Sequence, residues 1–187
     1  MTAARRTAPN GVWGMLLLAA TETALFGTLL ATYFYLRLRS AHWPPPGIEA
    51  PSVALPLALT GVLVLTTVPM ALAAFAAVAG RARRAWLLVA VTLVVQGGYL
   101  AWQIVLYLSD LDKFSPADTA YGSIYFTLLG VHHAHVAVGL LLQVWLLIRL
   151  AGGLTRYRTI AVQAIALYTA FVNVMAIFVV AAQVSPS

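Results

Sequence analysis

Cysteine is absent from the 187-residue sequence. That excludes disulfides, thiolate-ligated iron–sulfur clusters and any copper centre built on cysteine sulfur. Charge is scarce as well: 9% of residues are Asp, Glu, Lys or Arg, whereas 62% are hydrophobic. A soluble domain has about a quarter charged and about half apolar, so these proportions leave an integral membrane protein. No polar stretch long enough for a soluble domain, no low-complexity tract and no strong internal repeat occurs. The net charge of +6 does not point to nucleic acid, because the arginines lie in short pieces between apolar runs. Such spacing is the mark of membrane topology.

Five apolar runs follow one another, over about 12–36, 53–79, 85–109, 121–148 and 159–183, and each is long enough for a bilayer core of about 30 Å. The fold class predicted is an all-α integral membrane protein, a bundle of five transmembrane helices in a single membrane domain over residues 1–187. Arg5 and Arg6 ahead of an apolar run resemble a signal peptide, but the run resumes after Glu22 and continues to Leu36, so it is read as a retained first span. An odd number of spans puts the termini on opposite sides. Arg5, Arg6, Arg81, Arg83, Arg84, Arg149, Arg156 and Arg158 fall on one side, against Arg37, Arg39 and Lys113 on the other, which also carries Glu49, Asp110, Asp112 and Asp118. The positive-inside rule then predicts N-terminus in and C-terminus out.

Polar side chains within these runs are the candidate functional residues. Glu22 lies about a third of the way into the first span, where a carboxyl group must be neutral, paired or beside water. It is read either as a structural group bonded to a neighbouring helix or as part of a proton path. Trp43 and the prolines of AHWPPPGIEAP predict a stiff turn at the membrane interface, with His42 on the surface. Pro69 predicts a kink in the second span. Gln96, Tyr99 and Gln103 form one stripe on the third span, which in lipid marks its buried side. The acidic segment Ser109–Ala120 reads as a solvated loop without a special role.

The fourth span places His132, His133 and His135 near its middle. Gly122, Tyr125, Leu129, His132, Val136 and Gly139 fall along one side, with His135 adjoining, and Gly130 with Ala134 forms a small-xxx-small pair where another backbone would come close. In the last span Tyr168, Thr169 and Asn173 are polar groups a turn apart. A bis-histidine haem needs ligands from facing helices, and every histidine within a span is on the fourth. Zinc or di-iron would need further carboxylates or histidines, and Glu22 alone is within reach of the membrane interior; no GxSG protease motif is present. No catalytic, cofactor-binding or metal-ligating residue is therefore assigned. His132 and His135 are expected to hydrogen-bond to neighbouring helices.

The residues just described resemble subunit III of the haem-copper cytochrome c oxidases. TETALFGTLLATYFYLR with Glu22, the WPPPG that follows, GSIYFTLLGVHHAHVAVGLLL with His132 and His135 in an HxxHVxxG arrangement, and Tyr168, Phe171 and Val172 of the last span carry the likeness. Longer members have seven spans, and this chain resembles the short form lacking the first two. The family's YWHFVD is replaced by Tyr168, Thr169, Ala170, Phe171, Val172 and Asn173, with Ala176 for a following Trp, which marks a divergent branch.

The resemblance implies an accessory subunit with no cofactor of its own. It would be packed with subunits I and II of a proton-pumping cytochrome c oxidase in a prokaryotic cell membrane. Haem and copper would reside in those partners, and a larger respiratory supercomplex is a compatible setting. It would stabilise the catalytic subunit, help maintain proton uptake and bind phospholipid in a cleft between helices. On that reading Glu22, His132 and His135 are the functional buried polar residues, and Gln96, Gln103, Gly130, Tyr168 and Asn173 serve helix packing or the lipid cleft. A nitric oxide reductase component with the same fold, a small proton-coupled transporter and an assembly factor are the competing readings.

Overall fold

The computed structural model describes residues 9–49 and 54–184. Arg5 and Arg6, residues 50–53 where the second expected span begins, and residues 185–187 lie outside the described residues. Long uninterrupted apolar sequence has one way to satisfy its backbone in lipid without a closed barrel, and that is the helix. The described residues accordingly form α1 (Asn10–Arg39), α2 (Ala54–Leu65), α3 (Thr67–Val78), α4 (Ala82–Leu111), α5 (Ala120–Ala151) and α6 (Arg156–Val184). Taken through Thr66, α2 and α3 make one segment, so five segments are long and apolar enough to cross a membrane. The four unbroken helices have 29 to 32 residues, about 45 Å of helix, so their ends reach past the hydrocarbon into the headgroup layers.

Successive spans run up and down, and α6 sits at the centre against α1, α2, α3 and α5. Half of its most apolar stretch is buried, whereas for α1, which packs only on α5 and α6, the share is 6%. One end of the bundle is held by aromatic rings, the other by small and branched aliphatic side chains such as Ala73, Ala77, Ala85, Leu146 and Val162.

Three local features differ from expectation. The second span breaks at Thr66, a full turn before the kink expected at Pro69. Pro69 has no N–H for the carbonyl of Leu65, so the helix stops ahead of it and a tight turn from Thr66 N to Leu63 O, 3.0 Å, takes over. Trp43 turns inward into the aromatic end: it is 9% exposed, its Nε1 donates to Tyr33 Oη at 3.0 Å, and its ring meets Tyr121 edge-on at 5.0 Å. An indole N–H inside a bundle needs an acceptor, and Tyr33 supplies it.

The acidic connection is the third. Asp110 accepts from Tyr125 Oη at 2.7 Å and from Lys113 Nζ at 3.0 Å, while Phe114 packs on Tyr125 and Phe126. Thr119 Oγ1 caps α5 by accepting from Gly122 N at 3.0 Å. Most of its residues are exposed, as expected of a solvated connection, but the loop also acts as a plug that fastens α4 to α5, which corrects its reading as a segment without a role.

Candidate functional site

Two polar sites, one part-buried and one buried, are built from side chains that the sequence scatters over five spans. The first joins α1 to α5. Glu22 Oε2 lies 3.0 Å from His135 Nε2, and His135 Nδ1 lies 2.7 Å from the carbonyl oxygen of Val131. A carbonyl only accepts, so Nδ1 carries a hydrogen, and the Nε2 lone pair then faces a carboxyl oxygen. That contact is attractive only when one proton lies between them, either on Glu22 or on His135. A single proton placed between them, on either partner, would leave the pair neutral overall. Phe26 covers the imidazole edge-on at 5.1 Å, and Tyr168 Oη donates to His135 O at 3.1 Å, tying the same turn of α5 to α6.

The second site closes the break between α2 and α3. Asn173 Nδ2 from α6 reaches Leu63 O at 3.0 Å, Thr66 Oγ1 at 3.1 Å and Thr67 Oγ1 at 2.8 Å. Gln96 Nε2 from α4 reaches Thr66 Oγ1 at 2.8 Å and Asn173 Oδ1 at 3.3 Å, and Gln143 Nε2 from α5 donates to Gln96 Oε1 at 2.7 Å. Irregular backbone at membrane depth is tolerated where neighbouring helices satisfy it, and these amides do so. Gln143 and Thr66 were not among the sequence candidates. Gln143 continues the buried line of His132, Val136 and Gly139 by one more turn, a signal present in the spacing; Thr66 becomes a hub only because Pro69 breaks the helix beneath it.

The remaining candidates divide. His132, 2% exposed, turns away from His135 toward α4, where its Nε2 lies 3.4 Å from Tyr99 Oη. The two histidines thus serve different neighbours. Gln103 is buried and lines a cleft of about 720 Å³ beside Asp110, Lys113 and Tyr125. Within this chain the nearest group to a Cβ at Gly130 would be Tyr107 Oη at 3.4 Å, and Ala134 is exposed. The close approach is at Gly122 instead, where a Cβ would fall 2.5 Å from Ser115 O. Tyr168 lies over Gly139, its ring 3.5 Å from where a Cβ would be. Among the described residues no group of three or more His, Cys, Asp or Glu is placed to hold a metal ion.

A bundle of five spans, joined by the Glu22–His135 contact and a set of amide contacts, defines a multi-pass membrane protein. The chain belongs to the cytochrome c oxidase subunit III family, whose model matches residues 6–183. It is similar to cytochrome c oxidase subunit 3 of Bacillus subtilis, 30% identical over 91% of this chain and 83% of that one. It is also similar to cytochrome bo(3) ubiquinol oxidase subunit 3 of Pseudomonas aeruginosa, 28% identical over 89% and 80%, and to quinol oxidase subunit 3 of Bacillus spizizenii, 28% identical over 90% and 83%. The chain is thus a subunit III of the haem-copper oxidases.

Proposed function

We propose that the chain supports proton uptake by the catalytic subunit of a proton-pumping oxidase that passes electrons from cytochrome c to oxygen, and preserves that subunit during turnover. The observation that carries this reading is the Glu22–His135 contact at 3.0 Å between two spans, a geometry that can hold one transferable proton. A group of this kind at a subunit surface buffers protons without a standing charge in lipid. Subunits I and II, which carry the haem and copper, and membrane phospholipid are the proposed neighbours. The proposed location is the prokaryotic cell membrane, with the N-terminus in and the C-terminus out. Relatives named as quinol oxidase subunits support a second reading in which the donor is a quinol.

Mild-detergent purification of the tagged protein, with mass spectrometry and a reduced-minus-oxidised spectrum, tests the assignment. Equimolar haem-copper subunits are expected, and their identity decides between cytochrome c and quinol, and between oxygen and nitric oxide. Glu22→Ala is expected to slow proton uptake or shorten the turnover lifetime with haem bands unchanged. Glu22→Gln keeps a donor to His135 Nε2 but cannot release a proton, so it should keep the fold and share the functional loss. Normal turnover lifetime and proton uptake in both variants would remove the proton role.

A further inference from the structure

Below the cleft of about 720 Å³ lies a second, smaller cavity of about 20 Å³. Gln103, Leu129 and Gln183 line both and form the partition between them. The smaller cavity is also walled by Thr60, Tyr99 and His132, which come from α2, α4 and α5. Two buried polar atoms of its lining residues have no hydrogen-bond partner among the described residues: His132 Nδ1, on a side chain 2% exposed, and Gln183 Nε2. A buried polar atom left unpaired is costly, and these two belong to residues of α5 and α6 that line one cavity. About 10–15 Å³ is room for one water, and a bound water needs two to four polar partners; Thr60 and Gln103 add to the two orphaned atoms.

We propose that this cavity is a hydration site in which one water bridges His132 Nδ1 and Gln183 Nε2, supplied from the membrane surface through the cleft above it. The chemistry selects water over an ion. Among the residues lining the cavity there is no carboxylate to balance a cation and no Lys or Arg to balance an anion, while Thr60, Gln103, His132, His133 and Gln183 are groups that water can bond. Water accepts from Gln183 and meets His132 Nδ1 as donor or acceptor, whichever ring nitrogen bears the hydrogen toward Tyr99. The cleft has the polar rim such an inlet needs, with Glu49, Asp110 and Lys113 at its mouth. The outcome is a wet column ending on His132, separate from the Glu22–His135 pair on the other side of α5.

The test uses the intact oxidase complex in membranes. In histidine-labelled complex, water-edited nitrogen NMR is expected to transfer polarisation to His132 as fast as to a residue with a bound water, and Gln183→Leu should reduce that transfer several-fold. Because the chain has no cysteine, Leu129→Cys gives a single reporter in the partition. A thiol in lipid holds little thiolate, so a charged thiol reagent should modify Leu129→Cys about tenfold or more faster than Val94→Cys, which is 74% exposed on the lipid side. A slow transfer to His132 in the unmodified protein, or equal labelling of the two cysteine variants, overturns the proposal. The first readout stands even where a variant fails to assemble.

Discussion

A carboxyl group within a membrane helix needs a polar partner, and Glu22 finds one in His135 at 3.0 Å. The same rule governs the neutral polar residues, where the currency is amide hydrogens. Asn173 is the most demanding, since its amide nitrogen reaches Leu63 O together with the hydroxyls of Thr66 and Thr67. Asn173→Leu keeps the volume and removes the donor. It is expected to destabilise the subunit by about 1–2 kcal/mol, toward the upper end of what interhelical hydrogen bonds contribute in membranes, read as a lower midpoint of unfolding in mixed micelles. An unchanged midpoint would mean that the amides fit a break already stable by packing. The contacts to α2 and α3 give Asn173 a structural role of its own.

At the scale of elements, the break between α2 and α3 and the plug between α4 and α5 are the two places where helices depart from simple rods. The plug depends on Gly122, whose missing side chain lets Ser115 O come within reach of the first turn of α5. Gly122→Ala would force a Cβ to 2.5 Å from a backbone oxygen that cannot rotate away. The expected cost is about 1–3 kcal/mol, seen as lower thermal stability of the purified complex and faster proteolysis in the 112–119 connection. Gly130→Ala, whose new methyl would meet only the tip of Tyr107, should change stability by less than about 1 kcal/mol. Equal effects of the two substitutions would place the strain elsewhere.

Over the whole molecule, burial runs from α6 at the centre to α1 at the margin, so the span that carries Glu22 is also the one with most surface left for lipid or a partner. The absence of cysteine makes the predicted orientation directly measurable. Lys113→Cys is expected to react with an impermeant thiol reagent from outside the cell and Arg83→Cys only after permeabilisation, both side chains being exposed. The opposite pattern would invert the topology and with it the side from which Glu22 is reached.

Hydropathy and length determined the five spans, because a lipid solvent forces every long apolar run into a helix whatever its neighbours are. Periodicity marked the buried faces: Gln96, Tyr99 and Gln103 on α4, and Gly122, Tyr125, Leu129, His132, Val136 and Gly139 on α5, are all buried. The TETALFGT and HxxHVxxG patterns carried the family. Which polar group meets which was decided by the tertiary structure alone. Glu22 with His135, Asn173 with the Leu63 carbonyl, and Gln143 with Gln96 join residues separated by 113, 110 and 47 positions. Spacing along one helix fixes a direction around its axis, whereas a partner depends on which helix occupies that direction and at what height. Pro69, Trp43 and the acidic loop went further than their local rules for the same reason: each was read as a breaker, an interface anchor or a solvated turn until packing supplied its neighbour.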